Sequence, residues 1–289
     1  HLGMRFADLD AIMSIAQKHK LKVVEDCAHV HGGMWRGKGA GSIGDLGAFS
    51  FQTSKLMTCG EGGVVITNNL EYFERVQSYI NAGRASVTDN FHHRMIGFNY
   101  RLGEFQAAIL GPQLDRLPQQ AEIRQANIEY FESRLRNTRG LGLLRPEPRI
   151  TRTAPYSYVL KYFAEQANDI PRAALVAALQ LEGIPCDGLF YEPVYKSSLF
   201  PINPAEYPAL SWGRPVPLDL RNTCRCPAAE RAAYHEAVWF PHYLFLADKR
   251  DIDTIADAIF KALENSEELR VLEHPAIRAQ GLSRADRES

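Results

Sequence analysis

Cysteine is scarce in this chain. The five residues Cys27, Cys59, Cys186, Cys224 and Cys226 are odd in number and unevenly spaced, which excludes a disulfide framework and reads as reduced thiols. Cys224 and Cys226 have no second cysteine or histidine pair at ligand spacing, so no metal site is expected. A surplus of charge is missing too: 33 basic against 34 acidic residues leave −1, which provides no electrostatic footprint for nucleic acid or an anionic membrane. No apolar run reaches the ~18 residues of a spanning helix. The opening residues HLGMRFADLD lack the basic start and apolar middle of a secretory signal. A soluble, cytoplasmic protein with small-molecule or protein partners is expected. An initiator methionine is also absent, and the first pattern met is already a helix followed by a strand, so the chain reads as a fragment.

What is present alternates between helical and strand-like patterns. Leu9, Ile12, Met13, Ile15 and Ala16 follow helical spacing after Asp8, and LKVVEDCA then reads as a short buried strand ending in acids. DLGAFSF and GGVVIT are two further short apolar runs, close enough to pair as a hairpin at a sheet edge. An amphipathic run from Leu70 to Ile80 follows, capped by Asn68 or Asn69 and closed near Gly83. Beyond a polar loop at 84–96, a helical pattern runs to about Thr138, with Pro118 expected to interrupt it. The texture then changes to a strand-like YSYVLKYF, a Pro-started helix PRAALVAALQLEG, a proline-rich stretch from 185 to 227, and helical patterns at 227–238 and 251–264. The charged tail after Glu267 is expected to be frayed or disordered. These patterns predict an α/β chain: a three-layer, mostly parallel large domain lacking its N-terminal part over 1–117, and a connecting helix with a smaller α+β domain over 118–289.

One stretch carries chemistry. FSFQTSKLMTCGEGG sets Lys55 after a strand and before Gly60, Gly62 and Gly63, while Asp26 ends another predicted strand, the place where open α/β sheets put ligand-binding groups. An acid and a lysine so placed could form a plain ion pair. They are also the pair that a pyridoxal phosphate enzyme needs, an amine to form a Schiff base and a carboxylate to keep the pyridine nitrogen protonated.

VVEDCAHVHG, GSIGDLGAFSFQTSKLMTCGEGGVVIT and GFNYRLGEFQAAIL resemble, in order and spacing, the DegT/StrS sugar aminotransferases, which have the aspartate aminotransferase-type fold. Their wording is most similar to the branch acting on keto-cyclitols such as scyllo-inosose. The resemblance implies pyridoxal 5'-phosphate as cofactor, Lys55 as the Schiff-base lysine and Asp26 as partner of the pyridine nitrogen. It implies that Ala28 lies against the ring, that His29 approaches the phenolic oxygen, and that Ser50 binds the phosphate. Asn99 would reach the phosphate of a neighbouring subunit's cofactor, making the protein a homodimer with shared sites. Gln52 matches the motif without an assigned role. His31, His92, His93 and His242, and Arg84, Arg94 and Arg101, are candidates for the substrate cleft or for ordinary surface contacts. The implied activity is transfer of an amino group from L-glutamine or L-glutamate to a keto-sugar or keto-cyclitol. A deoxysugar-modifying relative, in which histidine replaces the lysine, and a non-catalytic module on the same fold are the alternatives.

Overall fold

A computed structural model describes residues 1–84, 92–211, 213 and 216–273. Part of the expected loop at 84–96 and the tail beyond 273 therefore lie outside the described residues. Helix α1, Leu9–His19, starts where the Asp8 side chain accepts the Ala11 N–H, and ends at Lys20 in the left-handed region. It leads to β1 (Val24–Asp26). The short strands β2 (Met34–Trp35) and β3 (Lys38–Gly39) follow, then β4 (Leu46–Ser50) and β5 (Gly63–Ile66). β1 pairs parallel to β4, with Asp26 opposite Ala48, and β4 pairs antiparallel to β5, with Ser50 opposite Gly63. The expected hairpin is present and one of the two pairings is parallel.

The loop into β4 is pinned from β1. Glu25, 3% exposed, accepts the N–H groups of Gly41, Ile43 and Gly44 at 3.0, 2.7 and 2.6 Å. Glycine is required at 47, because a Cβ there would come within 2.3 Å of the Gly41 Cα. Glu25 also lies within metal-ligand reach of His1 and Cys27, but its oxygens are already committed to these amides.

Helix α2 (Leu70–Ile80) is capped by Asn69, whose side chain accepts the Tyr72 N–H at 3.1 Å. Helix α3 runs unbroken from Glu104 to Leu135 with Pro112 and Pro118 inside it. The expected interruption at Pro118 is thus corrected. The reason is the stripe Leu117, Ala121, Arg124, Ile128, Phe131 and Leu135, spaced alternately four and three and buried throughout, which holds the helix from the proline onward, while Leu110 packs on the N-terminal side against the cluster that contains Leu117.

Two compact units emerge. The first comprises His1–Tyr130, Arg145–Tyr158 and His242–Asp248, and the second Phe131–Leu144, Val159–Pro241 and the chain from Lys249. The division expected at residue 117 falls inside α3, and the first unit also includes two later segments. One of these carries β7 (Ile150–Arg152), which pairs with β2, after the two-residue β6 (Leu141–Gly142) of the second unit.

The second unit is built around β8 (Ser157–Tyr162) from Val159 onward and helix α4 (Arg172–Leu181), followed by the single turns α5 (Pro208–Ser211) and α6 (Leu220–Thr223). The helix expected over 227–238 stops early. α7 spans only Pro227–Arg231, a π-helical turn covers Ala232–Glu236, and Ala237–Pro241 forms strand β9 in a sheet ordered β6-β8-β9. Val238 and Phe240, both 0% exposed, are buried from the strand, so core packing overrides the helical pattern. Helix α8 spans Lys249–Glu264 and buries Ile252, Ile255 and Ile259. Residues 266–273 continue as a 3-10 helix where a frayed tail was expected, tied down by Asn168 donating to Ser266 Oγ at 2.8 Å. No helix among the described residues is long and apolar enough to cross a membrane.

Candidate active site

Lys55 follows β4 through a turn that the sequence builds by self-capping. The Gln52 N–H donates to Ser50 Oγ at 3.3 Å, Gln52 Oε1 accepts both the N–H and the hydroxyl of Ser54 at 2.9 and 2.7 Å, and the Lys55 N–H donates to the Gln52 carbonyl at 2.9 Å. Gln52, unassigned by the sequence, is therefore the organiser of the lysine turn. Phe51, Met57, Cys59 and Leu117 form a small buried cluster beneath it.

The half-buried Lys55 side chain places its amine 4.7 Å from the Tyr156 ring centroid. Burial lowers its pKa, and the Asp26 carboxylate opposes that shift. A lowered pKa enlarges the neutral, nucleophilic fraction of the amine. Asp26 itself accepts the Ala28 N–H at 3.1 Å, which turns the chain after β1 and leaves Ala28 and His29 beside the carboxylate. His29 stacks on Tyr156 at 4.0 Å between centroids and 15° between planes. Burial, with Lys55's charge second, pushes its pKa down to about 4, so it is neutral at pH 7.

Lys55, Asp26, Ala28, His29 and Ser50 thus gather at the ends of two paired strands. Asn99 does not join them. It is exposed and pairs with Asn81 in an isolated bridge, flanked by the stacked and exposed Phe98 and Tyr100. Arg101, a substrate candidate, donates to Asn81 Oδ1 at 2.7 Å instead. His31 and His242 turn inward: His31 Nε2 lies 2.7 Å from the Ser50 carbonyl and His242 Nε2 lies 3.2 Å from the Ser54 carbonyl.

Tyr156 escaped the sequence reading. Its hydroxyl lies 2.8 Å from Ser54 Oγ, 102 positions apart in the chain, a separation at which no local pattern signals contact. The donor set fits a pyridoxal phosphate group: an amine with lowered pKa, a carboxylate on the adjoining parallel strand, a small side chain two residues beyond that carboxylate, and a hydroxyl at the end of the strand that leads to the lysine turn.

An α/β sheet ending in a lysine turn and an acid defines a class of chains, and comparison places this one within it. Residues 1–260 match the model of the DegT/DnrJ/EryC1/StrS aminotransferase family, and the chain belongs to that family. It is 37% identical over 269 residues to a Micromonospora echinospora protein carrying the provisional name L-glutamine:3-amino-2,3-dideoxy-scyllo-inosose aminotransferase, covering 92% of this chain and 64% of that one. It is 33% identical over 283 residues to the L-glutamine:2-deoxy-scyllo-inosose aminotransferase of Streptoalloteichus tenebrarius, covering 93% and 65%. Among solved structures, 3-amino-5-hydroxybenzoic acid synthase aligns with a TM-score of 0.74 at 27% identity, covering 91% of this chain and 66% of that one. The chain thus spans just under two thirds of the length of these relatives.

Proposed function

We propose that this chain carries the cofactor lysine and much of the active site of a pyridoxal phosphate-dependent aminotransferase that moves an amino group from L-glutamine, or L-glutamate, to a keto-cyclitol or related keto-sugar. The observation that carries the reading is that Lys55, in the turn after β4, feels the charge of Asp26 at the end of the parallel-paired β1, while burial lowers the lysine's pKa. The names of the cyclitol aminotransferases it resembles support the substrate class.

When bound, the cofactor supplies an electron sink for the carbon that loses or gains the proton. Lys55 would hold the cofactor and, when free of it, would move the proton at the donor carbon as general base and acid. Asp26 would keep a proton on the ring nitrogen. Ala28 would leave space for the ring, His29 would meet the phenolic oxygen as a neutral imidazole, and the Ser50 hydroxyl would donate to the phosphate. Asn99 serves the site of a second copy. Its exposure beside Ile96, Phe98, Tyr100 and Phe105, all apolar and exposed, supports a face covered by another subunit.

Adding pyridoxal phosphate should give visible absorbance that L-glutamine bleaches and a keto-cyclitol restores. Bleaching by no amino donor would reject the transaminase reading. Mixing Lys55→Ala with Asn99→Asp chains, each inactive alone, should restore activity, because one site of the mixed dimer then carries neither defect. No recovery would reject the shared site.

A further inference from the structure

Arg124 occupies a position in the α3 stripe where an apolar residue belongs, and it is 2% exposed. Its guanidinium faces no carboxylate among the described residues, and its Nε has no hydrogen-bond partner. A buried cation without a counter-charge costs several kcal/mol relative to a packed leucine or methionine, so packing alone does not account for it. Its one polar contact among the described residues is from Nη2 to Nδ1 of His242 at 3.3 Å.

That contact fixes the histidine. Arginine only donates, so Nδ1 is the acceptor and the ring proton sits on Nε2, which donates to the Ser54 carbonyl at 3.2 Å. Burial first, and then the Arg124 charge, hold His242 near pKa 4, so the ring stays neutral. The Ser54 carbonyl belongs to the peptide that joins Ser54 to Lys55. Ser54's N–H and hydroxyl are already held by Gln52 and Tyr156, and the far end of the turn is held by His31 at the Ser50 carbonyl. The carbonyl is the remaining polar group of Ser54, and the Arg124–His242 pair reaches it from helix α3 and from residue 242.

We propose that Arg124 and His242 are positioning residues: Arg124 locks His242 in its neutral Nε2–H form, and His242 clamps the Ser54–Lys55 peptide so that the lysine amine meets the cofactor aldehyde in a reactive geometry. The proposal rests on the reading of Lys55 as the cofactor lysine. It explains why a cation stands in a core stripe, and why a histidine near the lysine faces backbone rather than substrate.

The test uses the full chain with pyridoxal phosphate as probe, following visible absorbance and trapping the adduct by borohydride reduction and peptide mapping. His242→Phe, which keeps the ring volume and removes both nitrogens, should slow reaction at Lys55 by about tenfold and move the pH midpoint of the adduct absorbance. Arg124→Met should do the same, and the double variant should be no slower than either single one. His242→Gln, whose amide nitrogen can occupy the Nε2 position, should recover most of the rate. A folded His242→Phe protein, judged by circular dichroism, that reacts at the wild-type rate with the wild-type midpoint overturns the proposal, as does a His242→Gln protein no better than His242→Phe. Nitrogen-15 spectra of the unsubstituted protein decide the tautomer without any variant. A neutral Nε2–H form of His242 supports the relay, and an Nδ1–H or doubly protonated ring rejects it. No wild-type adduct at Lys55 would instead sink the cofactor reading, which the tautomer measurement leaves untouched.

Discussion

The two sheets built around β4 and around β8 draw on similar residues and end with opposite exposures. Five of the six residues of β8 are buried, and β9 buries Ala237, Val238 and Phe240. In β5 all four residues are exposed, among them Val64, Val65 and Ile66, and β1 buries only Glu25. The difference separates two tasks. The β8 sheet helps form a core, with α4 and α8 contributing their own buried apolar residues, each fully buried large side chain contributing roughly 1.5–3 kcal/mol. The β4 sheet carries Asp26 and Ser50 at its strand ends, and its positions are set by Glu25 holding the 41–44 amides and by the Gln52 turn rather than by apolar burial on both faces.

The largest expected effect tests the closed side. Phe240→Ala empties a site at 0% exposure packed edge-on against Phe131 with centroids 6.1 Å apart, and should cost about 3–5 kcal/mol in a denaturant titration. A loss under about 1 kcal/mol would show the core to be loose. Acidification comes next and acts on the other unit. His29, His31 and His242 are held near pKa 4, chiefly by burial, against about 6.5 in the unfolded chain. The unfolded state therefore binds more protons between these values, so stability is full above about pH 6.5 and falls as pH drops toward 4. For His31, 3% exposed, the loss is on the order of 3 kcal/mol, and a pH-independent unfolding midpoint across that window would contradict the neutral assignment.

Asp26→Asn should leave the unfolding midpoint near wild type while lowering turnover by at least about a hundredfold, since an amide cannot hold the charge of a protonated ring nitrogen. Near-normal turnover with saturating cofactor would return Asp26 to a structural role. Smallest of all, Val65→Thr on the open strand should change the stability of the isolated chain by no more than about 0.5 kcal/mol. A cost above about 1.5 kcal/mol would mean that β5 is packed rather than open, and would remove the contrast with β8.

The sequence disclosed what is local. β1, β4, β5, α1, α2, α4 and α8 follow from apolar spacing and caps, and the lysine turn follows from a strand, a lysine and glycines in immediate succession. It misread places where distant packing decides: Pro118 is carried by a stripe that extends to Leu135, and the second half of 227–238 is drawn into a sheet by burial of Val238 and Phe240. Tyr156 and His242 reach the lysine turn from 102 and 188 positions away from Ser54, so no window of sequence contains them. Arg124 was legible in principle, as a charge at a position where the four-three stripe calls for an apolar side chain.

The central claim is that Lys55 is the cofactor lysine. The most direct test is to incubate the full chain with pyridoxal phosphate, reduce with borohydride, digest, and locate the modified residue by mass spectrometry. Stoichiometric labelling is expected on the peptide carrying Lys55, and none at that site when L-glutamine has first converted the bound cofactor to its amine form. Labelling spread over surface lysines, with Lys55 unmodified, would contradict it.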